Sequence, residues 1–147
     1  MGFSSRSHYG TRAMLELALR AGEGPVDLDT LAEVQRIPAR YLAKIVQELR
    51  RAGLIRSVRG ASGGYMLAKE PAAIEIMEIV QCLDGSVAPT ECVENPDVCR
   101  NAKQCVAREV WLEVHDAVVH VLGSVTLQDL VDRQRAKKRA GPGGHGK

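Results

Sequence analysis

ARYLAKIVQELRRAGLIRSVRGASGGYML, residues 39–67, carries two hydrophobic rhythms in one stretch. In its first half Leu42, Ile45, Val46 and Leu49 recur at helical spacing, and Gly53 supplies a natural stop. Beyond Gly53 the rhythm changes. Residues 54–58, LIRSV, hold the β-branched Ile55 and Val58; RGASGG follows, then YMLA, so two strand-like runs flank a Gly-rich turn. Upstream, VDLDTLAEVQRI places Leu28, Leu31, Ala32 and Val34 on a short helix that Asp27 or Asp29 can cap, and Pro38 separates it from the next. Two short helices around a tight turn make a helix-turn-helix, and a hairpin directly behind the second helix is a wing. The predicted fold is therefore mainly α with a small β-hairpin wing: a winged helix-turn-helix, extended below by a long dimerisation helix.

Charge follows the same division. Between Arg36 and Arg59 there are seven basic residues and one acid, Glu48, whereas residues 70–99 hold seven acids and no Lys or Arg. A basic block beside an acidic half suggests a surface for a polyanion, although two oppositely charged solvated faces would give the same count. On the helix from Ala39, the apolar stripe leaves Arg40, Tyr41, Lys44 and Gln47 off the core, with Arg40, Lys44 and Gln47 on one outward face. Such residues reach base edges in a DNA major groove, so the partner expected is double-stranded operator DNA. Arg56 and Arg59 flank the wing tip, where cations meet phosphates or enter a narrow minor groove. GASGG is not a nucleotide-binding loop: it lacks the GK[ST] ending and precedes a strand.

Working outward, RSHYGTRAMLELALRA (6–21) has a helical stripe through Ala13, Met14, Leu17, Ala18 and Ala21, with Ser4, Ser5 or Ser7 as cap. Residues 71–83, PAAIEIMEIVQCL, read as a helix. A loop with Pro89 and Pro96 then carries Cys92, Cys99 and Cys105, in the spacing C-x6-C-x5-C. In VAREVWLEVHDAVVHV (106–121), Val110, Val114, Ala117 and Val121 form a helix-pairing seam that Trp111, Val118 and Leu122 widen. A second copy is the simplest cover for that seam, so a homodimer is expected; packing within the chain is the alternative. TLQDLVDRQ reads as a last short helix. The organisation expected is 1–84 for the winged domain, 85–105 for the cysteine loop, 106–133 for the dimerisation and terminal helices, and 134–147 for a disordered basic tail.

The opening residues lack a basic start followed by an apolar run, and no stretch approaches the roughly 20 apolar residues of a membrane span. A cytoplasmic protein without a membrane partner is expected. In that reducing compartment clustered thiols bind metal or react more often than they pair. Thiolates suit iron–sulfur clusters and zinc alike, although structural zinc sites favour closer cysteine pairs. No catalytic constellation accompanies the cysteines, so neither an enzyme nor a small-molecule substrate is expected.

The opening SHYGTRAMLELA, the segment RYLAKIVQELRRAGLI, the wing SVRGASGGYMLA, the three cysteines and the Trp-bearing helix together resemble the winged-helix family of bacterial iron–sulfur regulators that includes IscR and the nitric-oxide sensor NsrR. The likeness spans roughly residues 1–135 and leans to the IscR branch through the wing, Trp111 and TLQDLVD. It implies a transcription regulator, a repressor among its possible modes, that senses cluster status and controls iron–sulfur biogenesis genes. It implies Cys92, Cys99 and Cys105 as cluster ligands, with [2Fe-2S] ranked ahead of [4Fe-4S]. A nitric-oxide sensor of the same family and a DNA-binding protein with structural zinc are the alternatives. Where IscR-like proteins commonly place a ligating His, three residues past the last cysteine, this chain has Arg108. His8 is the substitute expected, by analogy with relatives that take a ligand from the partner subunit. Glu91, Glu94, Asp97, Glu109 and Cys82 are further candidates, Cys82 being better read as a core residue.

Overall fold

The computed structural model describes residues 2–141. Helix α1 (Ser5–Leu19) starts where the Ser4 hydroxyl accepts the Ser7 N–H, and it buries Ala13, Met14, Leu17 and Ala18. Helix α2 (Leu28–Gln35) is capped by Asp27, whose carboxylate accepts the Thr30 N–H at 2.8 Å. Val34, expected on its apolar face, is instead exposed. The turn out of α2 passes through Arg36 at φ 54, the only non-glycine residue with positive φ among those described. Helix α3 (Ala39–Arg51) then buries the predicted stripe of Leu42, Ile45, Val46 and Leu49.

Strands β1 (Ile55–Val58) and β2 (Gly64–Leu67) pair antiparallel, Ile55 opposite Leu67 and Val58 opposite Gly64. Val26 extends the hairpin on its other edge by exchanging two hydrogen bonds with Tyr65, at 3.0 and 2.8 Å. That approach leaves no room for a side chain at Gly64: a Cβ there would lie 2.4 Å from the Val26 carbonyl. The wing is thus fastened to the entrance of α2.

The helix predicted from Pro71 begins later. A short 3-10 turn (Pro71–Ala73) precedes α4 (Ile76–Asp84), and Ile74 between them is extended. Its backbone is committed elsewhere: the Ile74 carbonyl accepts from Leu127, and the Ile76 N–H donates to the Val125 carbonyl. The cysteine segment has local structure of its own, a single turn of helix α5 (Glu91–Glu94) and 3-10 turns at Pro96–Val98 and Ala102–Gln104.

Helix α6 (Val106–Ser124) runs about 28 Å at 1.5 Å per residue. None of its residues is buried. Val118 and Leu122 pack against the core, whereas Val110, Trp111 and Val121 stand 53%, 41% and 58% exposed. The apolar face predicted to need a partner therefore splits, one edge covered within the chain and the other open.

Helix α7 (Leu127–Arg139) opens with a Thr126–Asp129 capping box and buries Leu127 and Val131 in the same core as α1, α3 and α4. Two expectations are corrected here. The terminal helix, grouped with the dimerisation helix in the expected 106–133 unit, packs into the core of the winged domain. Residues 134–139, assigned to a disordered tail, are helical, because straight-chain Gln, Arg and Lys propagate a capped helix and Lys137, Lys138 and Arg139 suit its negative C-terminal end. Ala140 caps that helix, and residues 142–147 of the expected tail lie outside the described residues.

Candidate nucleic-acid interface and thiol loop

The stripe that buries one side of α3 turns Arg40, Lys44 and Gln47 to solvent, with Arg50 and Arg51 exposed further along. The single acid of this basic block does not dilute the face, because Glu48 pairs with Arg6 of α1. Tyr41 differs from its neighbours. It is half-buried, stands edge-on to Tyr9 at 5.8 Å, and shares a 3.1 Å hydrogen bond with Ser5. Its hydroxyl is therefore engaged with α1.

Between α3 and the wing lies an open cleft of about 400 Å³ lined by Ala43, Gln47, Arg50, Ser57, Arg59 and Tyr65. It brings predicted Gln47 and Arg59 together and adds Arg50, Ser57 and Tyr65, which the sequence reading did not single out. Arg50 was visible in the basic block, but its role depends on the hairpin folding back across it. Arg56 is not part of this cleft. Successive strand residues face opposite ways, so Ser57 turns into the cleft while Arg56 lines a second cavity behind the wing with Arg20 and Lys69. Those two cations are already paired, Arg20 with Glu16 at 2.8 Å and Lys69 with Glu78 at 2.7 Å. A cationic cleft flanked by an exposed helix face is suited to a nucleic-acid backbone, since phosphates attract Arg and Lys at any sequence.

Cys92, Cys99 and Cys105 are all free thiols; Cys99 is exposed and the other two are half-buried. Cys92 lies on α5, its sulfur 3.2 Å from the Thr90 hydroxyl. Cys105 is the N-cap residue of α6. Arg108, in the first turn of α6, donates from Nε to the Cys92 carbonyl at 2.9 Å. A cation at that end of a helix opposes the dipole by about 0.3–1 kcal/mol, which a charge-assisted hydrogen bond of about 1.5–3 kcal/mol offsets. Three unpaired thiols on one loop fit a thiophilic group in kind. They are not gathered: among the described residues no three His, Cys, Asp or Glu side chains stand ready to hold a metal ion.

Cys82 stands apart. Burial first, and the Glu48 carboxylate second, push its thiol up, with Arg6 opposing, and its sulfur sits 3.5 Å from the Glu48 carbonyl. It is a packing residue against the core. His8 is exposed on α1 and lines a shallow cavity of about 210 Å³ with Phe3, Ser7, Thr11, Val80 and Leu122. Leu122 is near the far end of α6 from Cys105, so His8 and the thiols lie at opposite ends of that helix. On α6 itself, His115 has a buried Nδ1 without a hydrogen-bond partner, while the His120 carbonyl accepts from Ser124.

The chain resembles known regulators along nearly its whole length. It is 39% identical over 140 residues to the HTH-type transcriptional regulator CymR of Bacillus subtilis, covering 95% of this chain and 96% of that protein. The solved structure of CymR, described as the global cysteine regulator of B. subtilis, superposes with a TM-score of 0.77 at 41% identity, covering 90% of this chain and 98% of that one. That of T. potens IscR gives 0.75 at 38% identity, covering 91% and 88%. Both carry the fold predicted from residues 39–67, and proteins so named are transcriptional regulators, not enzymes. No helix among the described residues is long and apolar enough to cross a membrane. With residues 3–133 matching the model of iron-dependent transcriptional regulators, the chain belongs to the Rrf2 family of DNA-binding transcription regulators.

Proposed function

We propose that this family member is a homodimer that binds operator DNA through α3 and the wing and reports iron–sulfur cluster status through Cys92, Cys99 and Cys105. The observation that carries the reading is the position of the thiols. Three free cysteines lie on the segment that leads into α6, the last of them its N-cap, and the other end of α6 packs through Val118 and Leu122 against the core that holds α3. A bound cluster would supply a charge and redox state sensitive to oxidation and nitric oxide. The chain's own residues would do the rest. Arg40, Lys44 and Gln47 present hydrogen-bonding groups to a major groove, and Arg59 enters the neighbouring minor groove. Arg50 and Ser57, in the cleft between them, would meet the strand that separates the two grooves. Repositioning of α6 by its loop would reach α3 through α4, and DNA affinity would change by the difference in fit of the two arrangements.

The open edge of α6, with Val110, Trp111 and Val121, supports the dimer. A His8 contribution to a ligand set would have to come from the second copy, because in its own subunit His8 lies at the wrong end of α6. Control of iron–sulfur biogenesis genes is the role this reading favours. A second reading, regulation of cysteine metabolism without a cluster, is favoured by the likeness to CymR and by the ungathered thiols.

Native mass spectrometry of protein purified without oxygen separates the readings. A dimer carrying iron and sulfide, lost on Cys99→Ser, is the result expected. A dimer without iron or sulfide would remove the sensing mechanism and leave the second reading standing; bound zinc alone would make the loop structural.

A further inference from the structure

The loop that bears the three thiols is fastened unevenly. Two buried apolar residues flank its middle, Val93 at 9% and Ala102 at 4% exposure. Between them every residue from 94 to 101 except Pro96 is exposed, and Cys99 lies within that bridge. Cys99 is held only by local backbone bonds, its N–H to the Pro96 carbonyl and its carbonyl to the Ala102 N–H, at 3.4 and 3.2 Å. Cys92 and Cys105 are fixed differently. Cys105 is part of the start of α6, and the half-buried Arg108 side chain, one turn further along, reaches back to the carbonyl of Cys92. The first and third thiols therefore share one frame, the head of α6, although twelve residues separate them in the chain.

We propose that Arg108 is a positioning residue that latches Cys92 to the head of α6, presetting Cys92 and Cys105 as a fixed pair and leaving Cys99 to move in and complete the set. The ligand class is a thiophilic metal group, and in this respect the inference rests on the reading of the loop given above. Arg108 suits the task because its long side chain reaches the Cys92 carbonyl from the first turn of α6 and presents its N–H donors in a rigid planar fork. A carbonyl latch also leaves the Cys92 sulfur free. Arg108 thus acts through the residue it holds.

The test is thiol alkylation of the metal-free, reduced full-length protein with iodoacetamide, read cysteine by cysteine from peptide masses. In the parent protein Cys99 should label several-fold faster than Cys92 and Cys105. Arg108→Ala should raise the Cys92 rate toward that of Cys99 and leave Cys82, whose sulfur is hydrogen-bonded to the Glu48 carbonyl of α3, unchanged. Arg108→Lys, which keeps a long cationic donor, should restore much of the protection. A general loosening would raise Cys82 as well, and that outcome overturns the latch, as does an unchanged Cys92 rate in Arg108→Ala. Titration with Cd²⁺, followed by its thiolate absorption, tests the underlying reading separately. Three-thiolate binding in the parent protein and weaker binding in Arg108→Ala support the full proposal. Absence of thiolate binding in the parent would overturn the ligand-presetting role, even if the alkylation pattern held.

Discussion

At the scale of single residues, the basic face of α3 is built by subtraction: four buried aliphatic residues decide which cations remain outside. Lys44→Ala and Arg59→Ala should each weaken operator binding about tenfold and lower the salt slope by about one for every phosphate left unneutralised, measured by fluorescence anisotropy at several salt concentrations. Thermal midpoints should hardly move, since both side chains are exposed. Arg36 is different. Its left-handed backbone costs an L-residue about 1 kcal/mol, which glycine avoids. Arg36→Gly should raise stability in urea titrations by about that amount while weakening DNA binding, because a cation leaves the turn before α3. Asp84 links stability to pH. Burial raises its carboxyl, but hydrogen bonds from the Ser4 side chain and N–H outweigh this and hold it below the usual value. A depressed folded value means that the stabilisation is complete above the unfolded pKa of about 3.9 and fades as pH falls through the lower folded value. Asp84→Asn should therefore lose stability at neutral pH and show a flatter acid limb in thermal melts followed by circular dichroism.

At the scale of elements, the winged helix-turn-helix was legible because each piece announces itself locally. The stripe of α3, the Asp27 cap, Gly53 and the alternation around RGASGG need no distant partner to be read. The cleft was less legible. Arg50, Ser57 and Tyr65 come from a helix and two strands, and only the hairpin's return brings them together. The opposed placement of Arg56 and Arg59 likewise depends on strand register, which the sequence leaves open until Val58 is seen opposite Gly64. Gly64 is the fastening of this element. With φ +153 and Val26 backbone atoms at 2.4 Å from a would-be Cβ, Gly64→Ala should cost about 2 kcal/mol or more. Operator affinity should fall while far-ultraviolet circular dichroism keeps its helical signal, because the strain falls on the wing.

At the scale of the whole molecule, the sequence misled on where α7 belongs. Leu127 and Val131, four residues apart, look like the apolar edge of any short surface helix, and nothing local says that they enter the core of a domain that looks finished at residue 84. Leu127 is 0% exposed and Val131 2%. Leu127→Ala should destabilise the protein by about 2–5 kcal/mol in chemical denaturation, with loss of the α1 and α3 core signals in the same transition. The extended segment at Ile74 has a further consequence for biosynthesis. Its hydrogen-bonding partners, Val125 and Leu127, are translated after the thiol loop and α6. A nascent chain therefore leaves the ribosome with these bonds and the Leu127 and Val131 contacts still to be made, so its DNA-reading half gains its last core residues only after the cysteines have emerged.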